Sequence, residues 1–378
     1  MENVGDFDCM KIKKMLLSIA AVGCLSASAI AQDIPDWVKR MKVSGDFSVR
    51  TEFDTGERQS GGQDRVRERG RFRLGVDTSF SDKMKVNFGI ETAGTNPTSA
   101  WTDFQDFQKP GLALSHAYMQ YAPASQFTLS AGLLKSDIPY WKPVQFVWKS
   151  DVNPFGIAAN INLKASDKAT FFINAAALAT TAHVDRWNPE SADTPMSAIA
   201  IIQPGFDVKS GNTSFKGAFA IQHYGMADNA STGFLSANNR SYTLINPGWE
   251  LTFAKLGGTN IGFTFNGELS KNVNDADGLV KEDTLGYMLQ GGFGTPSVRA
   301  AKDWQIKAAY RYLELNAIPR GMGQTSAYGG IPDSKGYELF VGYGLIRNLA
   351  FNGTFYIMTN IDGNVPEKVS QFDLVYRF

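Results

Sequence analysis

The last seven residues, Phe372-Asp373-Leu374-Val375-Tyr376-Arg377-Phe378, alternate apolar with polar for most of their length and stop on an aromatic. Successive side chains of a strand point to opposite faces, so Phe372, Leu374, Tyr376 and Phe378 share one face and Asp373 and Arg377 the other. Such a strand is expected to end inside a bilayer, its four apolar residues toward lipid. Beyond residue 31 no run approaches the roughly 18 apolar residues of a membrane helix, and the other structure that satisfies every backbone group in lipid is a closed barrel.

Residues 1–31 read as an export signal. Lys11, Lys13 and Lys14 precede an apolar stretch from Met15 to about Leu25 and an Ala29-Ile30-Ala31 cleavage pattern. The acids among residues 1–9 spoil the basic segment, so translation is expected to start at Met10. Cys24 follows Ala21-Val22-Gly23, which raises lipidation as an alternative, but it lies inside the apolar run. Cys9 and Cys24 are the only cysteines, so the exported chain holds no disulfide or thiolate site. Acids and bases balance at 37 each, so bulk charge attracts no polyanion, nucleic acid included.

Residues 32–41 form a short lead-in bearing Trp37, and 42–378 one all-β domain. Tight polar turns at 81–83, 123–125, 166–168, 210–212, 257–258, 295–302 and 346–348 alternate with longer connections near 54–64, 93–111, 135–155, 178–196, 224–240, 270–281, 316–334 and 361–367. This pattern joins about 16 strands. Met84, Val86, Phe88 and Ile90 oppose Lys85, Asn87 and Glu91; Ile157, Ala159, Ile161 and Leu163 oppose Asn160, Asn162 and Lys164; Ile261, Phe263 and Phe265 oppose Asn260, Thr264, Asn266 and Glu268. A soluble sandwich also alternates but lacks the short and long asymmetry. The expected fold is a transmembrane antiparallel β-barrel with short periplasmic turns, long extracellular loops and both termini in the periplasm.

Arg65, Arg67, Arg69, Arg71 and Arg73 occupy one face of one strand, opposite Val66, Gly70, Phe72 and Leu74. A guanidinium toward lipid costs a few kcal/mol near the midplane, so these five should line the lumen. Arg50 and Lys85 on neighbouring strands would extend the basic wall, with Asp46, Asp77 and Glu91 as the nearest counter-charges. The alternative is a solvated row at the rim. Segment 135–155 is long and aromatic, with Tyr140, Trp141, Phe146, Trp148 and Phe155 beside Asp137 and Asp151. Folded inward, it would narrow the pore and set Asp137 and Asp151 against the arginines; otherwise its aromatics form an interfacial girdle.

The stretch Pro35-Asp36-Trp37-Val38-Lys39-Arg40-Met41-Lys42-Val43-Ser44-Gly45-Asp46-Phe47, followed by the arginine row and Gly75, resembles the N-terminal pattern of a family of bacterial outer-membrane porins. The likeness extends to Ile90-Glu91-Thr92-Ala93-Gly94 and Asp151-Val152-Asn153-Pro154-Phe155-Gly156, and the closing heptapeptide resembles the insertion signal of outer-membrane barrels. Family members commonly carry two alternating arginines in the first strand, where this chain has Ser48 and Arg50. The resemblance implies a diffusion channel, with a homotrimer by analogy of fold. Lipid, the barrel-assembly machinery and small hydrophilic solutes or ions are the expected partners, with some preference for anions.

Two other classes were weighed. A hydrolase would need a base from His116, His183 or His223; His183 lies near Asp185 and His223 shares alternation with Phe219 and Ile221, neither with a serine at useful spacing. Asp275, Asp277, Glu282 and Asp283 read as a solvated acidic loop, and no pattern suggests a cofactor or metal. A structural or adhesive barrel plugged by side chains is disfavoured, because sixteen strands normally leave an aqueous channel and the inward Asn, Thr, Ser and Gly are short.

Overall fold

The computed structural model describes residues 34–378 except 57–63, 94–98, 105–108, 182–196, 226–241, 260, 275–282 and 325. The expected leader, His183 with Asp185, and Asp275, Asp277 and Glu282 lie outside the described residues. Residues up to Lys39 and residues from Arg40 onward form two units. In the first, Asp36–Lys39 make one helical turn, with Lys39 Nζ 3.4 Å from Asp36 Oδ1.

The second unit is built of strands β1 (Lys42–Gly56), β2 (Arg65–Ser79), β3 (Met84–Ala93), β4 (Thr102–Asp103), β5 (Gly111–Ala124), β6 (Phe127–Leu133), β7 (Phe155–Ser166), β8 (Ala169–Thr181), β9 (Ser197–Ser210), β10 (Thr213–Gly225), β11 (Tyr242–Phe253), β12 (Gly262–Asn272), β13 (Leu285–Gly294), β14 (Trp304–Leu313), β15 (Ser334–Ile346), β16 (Leu349–Thr359) and β17 (Glu367–Arg377). Strand β4 is a two-residue patch on β2. The other sixteen pair antiparallel in sequence order, and β1 closes on β17 from Asp46↔Arg377 to Gly56↔Glu367. Closure leaves no edge strand, which lipid requires. Short connections gather at one end of the barrel and long ones at the other, in the expected sequence.

The terminal aromatic locks this seam. Phe378 N–H donates to Gly45 O at 3.0 Å and accepts in return at 3.1 Å; a Cβ at position 45 would lie 2.6 Å from the Phe378 ring, so only glycine lets the ring settle there. Leu374, Tyr376 and Phe378 point outward, as do Phe47, Val49, Val66 and Phe88, while Asp373 is buried on the inner side. The outer face is an apolar belt, and Tyr287, Tyr310, Tyr312 and Tyr337 form a ring cluster in it. No helix among the described residues is long and apolar enough to cross a membrane.

Candidate functional site: the lumen

Two loops enter the barrel interior and pack together, and the second reaches on to the β16–β17 wall through Ala327 and Tyr328. The connection from β6 to β7, residues 134–154, packs Tyr140, Phe146 and Trp148, all buried, against wall residues including Leu178, Ile199, Ile201, Tyr224 and Leu244. Residues 314–333, between β14 and β15, add Ala317, Ile318 and Met322 to the same cluster. Lys149 N–H donates to Met322 O at 2.9 Å, joining the two loops. Only the first loop was expected to turn inward. The apolar residues Ile318, Met322 and Tyr328 of the second, too many for an exposed loop, are the signal that was available.

Polar wall residues satisfy the loop backbones. Gln203 holds Trp141 twice, accepting from its N–H at 2.8 Å and donating to its carbonyl at 2.7 Å. Asn160 donates to Ile138 O, Asn266 to Pro143 O, Ser270 to Ala317 O and Asn272 to Asn316 O. The buried Glu268 carboxylate accepts from the backbone N–H groups of Phe146 and Val147 at the loop tip. This corrects the reading of short polar side chains as a sign of open space: a loop carried into a barrel brings unpaired carbonyls and N–H groups, and the wall must meet them.

The other side is charged. The register of β1 against β2 sets Asp46, Arg50, Glu52 and Asp54 beside the arginine row. Arg65 pairs with Asp54 at 2.7 Å, Arg67 with Glu52, Arg69 with Asp103 at 2.8 Å, and Asp46 takes both Arg71 at 2.9 Å and Arg73 at 2.7 Å. Arg50 grips Asp373 through Nε at 2.6 Å and Nη2 at 2.8 Å. The Trp101 ring lies under Arg50 and Arg71, 3.9 and 4.7 Å away. Of the expected counter-charges Asp46 pairs with the row, and Glu91 stands opposite Arg73 in the register of β3 on β2. Asp77 instead approaches Lys135 at 3.8 Å and Glu91 accepts from Ser115. Glu52, Asp54 and Asp373 were missed, although the parity of Asp46-x-Ser48-x-Arg50-x-Glu52-x-Asp54 pointed to the first two.

The remaining candidate residues scatter. Lys85 is exposed at the turn end of β3, paired in register with Ser79 and remote from the row. Asp151 lies 3.9 Å from Arg73 Nη1, whereas Asp137 lines a cavity with His116 and Lys135. Trp148 donates to Val152 O at 3.0 Å, and Lys216 sits 4.7 Å over the Trp141 ring. His223 is outward, its Nδ1 3.0 Å from Thr243 Oγ1. Burial lowers the ammonium groups of Lys142 and Lys149 in the first loop to about 8.

Three cavities follow the arginine row. One of about 460 Å³ reaches Asp46, Arg73 and Asp151; the next, about 400 Å³, reaches Arg50, Arg69 and Arg71; the third, about 200 Å³, reaches Arg65 and Arg67 at the loop end. The first two share Val144, Gln145 and Asp151, and the last two share Arg69, Ser99 and Ser326. Space inside the barrel thus runs along the charged wall, beside the packed loops.

Among solved structures, OprB of Pseudomonas putida shares 11% identity with this chain, aligning over 90% of it and 95% of its own length with a TM-score of 0.59. The outer membrane channel DcaP of Acinetobacter baumannii shares 12%, over 89% of this chain and 97% of its own, at 0.52. Such likeness concerns the fold. No curated protein shows significant similarity. The sequence profile of the family described as "Putative porin" matches residues 57–229 and 209–378, nearly the whole barrel. This chain, an outer-membrane β-barrel channel, belongs to that porin family.

Proposed function

We propose that small hydrophilic solutes diffuse passively through this pore, with a modest preference for anions, the turn end and both termini lying in the periplasm. The observation that carries the preference is the layering of charge along the wall. The five β2 arginines keep 14–42% of their side chains exposed, against 3–11% for Asp46, Glu52 and Asp54 behind them, while Asp103 at 34% and Asp151 at 20% are as open as the row. Between β1 and β2, solutes therefore meet the guanidinium faces before the carboxylates behind them. The preference is modest because each arginine of the row has a carboxylate partner, so the field is that of oriented pairs and not of free charges. Lipid around the belt and the barrel-assembly machinery as partners, and trimerisation, go with this reading.

The test is single-channel conductance of the refolded protein in a planar bilayer, with reversal potential measured across a KCl gradient. Replacing Arg67, Arg69 and Arg71 together by Ser should move an anion-biased reversal toward cations. An unchanged reversal potential removes the row from the filter, and an absence of conductance in the wild type favours the plugged barrel. A hydrolase gains little support. A bulge after Gly89 lets Ser115 and His116 come within 3.3 Å, yet His116 Nε2 has no hydrogen-bond partner among the described residues to orient the ring.

A further inference from the structure

Across the central cavity from the arginine row stands another cation. Arg311 of β14 is 3% exposed, lines the cavity of about 400 Å³, and packs its guanidinium 5.8 Å from the Phe146 ring of the inward loop. Its Nε and Nη2 have no hydrogen-bond partner among the described residues; Glu338 acts on it through charge, without a hydrogen bond. These two nitrogens form one edge of the guanidinium, the same edge through which Arg50 holds Asp373. A buried charged group whose hydrogen bonds are left unmade is costly, so a site that retains one invites an acceptor from outside the chain. Lys307, four residues nearer the turn end on the same inner face, lines the same cavity with its Nζ 5.7 Å from the Phe340 ring.

We propose that Arg311, assisted by Lys307, is a docking site for a monocarboxylate in transit, an inference that rests on the channel reading above. A carboxylate matches the edge with two parallel hydrogen bonds. The single charge follows from Glu338, which the register sets opposite Ala309, between Arg311 and Lys307, and which lines the same cavity; a dianion there would face a like charge. The amides of Gln290 and Gln324 border the cavity as well, so a body bearing hydroxyl groups suits it better than a bare alkyl chain. Gly323 of the second loop stands beside the edge, where a Cβ would lie 3.8 Å from Nη2.

The experiment is block of the KCl current through the reconstituted full-length channel by gluconate, with inorganic phosphate and uncharged galactose as comparison solutes. Gluconate should block saturably and more tightly than either. In Arg311→Gln the block should weaken about tenfold or more while the KCl conductance persists. Lys307→Gln, a substitution at a part-exposed position, should weaken it by a smaller factor and serves if the buried replacement does not fold. A conducting wild type without saturable gluconate block, or block unchanged in both variants, overturns the docking site and leaves the channel standing. Phosphate binding as tightly as gluconate overturns the monocarboxylate assignment. A channel that never conducts overturns the channel reading and this inference together.

Discussion

The side of the lumen walled by β7 to β12 and the side walled by β1, β2 and β14 to β17 solve opposite problems with the same alternating backbone. On the first side Ile199, Ile201 and Leu244 point inward onto Tyr140, Phe146 and Trp148, and the few polar wall groups are spent on loop backbone. On the second side the inward positions of β1 and β2 are ionic, their charges held by partners on neighbouring strands. One side is therefore a folded core that happens to lie inside a barrel, and the other is a wall facing water. Closing the barrel fixes the circumference; which part of the interior conducts is decided by where the loops find apolar wall.

The most damaging change is to empty the core. Trp148→Ala removes the largest fully buried side chain of the first loop and should cost about 3–5 kcal/mol. If the dry side holds the loops in place, the variant melts earlier in detergent and its unit conductance rises; a lower melting temperature with unchanged conductance would show that the loops do not set the open area. Glu268→Leu is the second test. It leaves the N–H groups of Phe146 and Val147 without their acceptor, worth about 1–3 kcal/mol, and should give noisy, fluctuating current with a smaller drop in melting temperature.

How much of this was legible differs between the two sides. The arginine row reads directly, because charges at every second residue of a strand admit one orientation in lipid. Its neutralisation was legible too, but only through the register of β1 on β2, which brings Glu52 opposite Arg67 and Asp46 opposite Arg73. The dry side was written in a different signal. Ala198-Ile199-Ala200-Ile201-Ile202 breaks alternation with an unbroken apolar run, the mark of a strand buried on both faces, and in a membrane barrel that means lipid outside and protein inside. What could not be read is which residue meets which loop. Glu268 alternates like any pore-facing acid, and its partners lie over a hundred residues away in a segment without regular structure.

On the charged side the informative change is small and opposite in sign to the arginine replacements. Asp46→Asn leaves Arg71 and Arg73 in place and removes the carboxylate they share, so the anion bias should increase, most visibly at low salt. A reversal potential that does not move would mean the buried carboxylates already fail to screen the guanidinium faces. Stability should fall only modestly, since both arginines keep access to water and Arg73 keeps Asp151 at 3.9 Å.

The smallest effect separates the two sides by pH. Burial lowers Lys142 and Lys149 of the first loop from 10.5 to about 8. Unfolding restores the ordinary value, so between those limits the unfolded chain binds more protons than the folded one, and stability rises with pH through that window. Below the window both states are protonated and the cost of the buried charges is felt in full. The melting temperature in detergent should therefore climb across the window, and Lys149→Met, at a position only 1% exposed, should lose part of that climb. Groups elsewhere also titrate in this range, so the difference between wild type and variant is the quantity to read. If the two curves run parallel, the first loop is hydrated as the arginine wall is, and the contrast between a packed side and a wet side no longer holds at that point of the lumen.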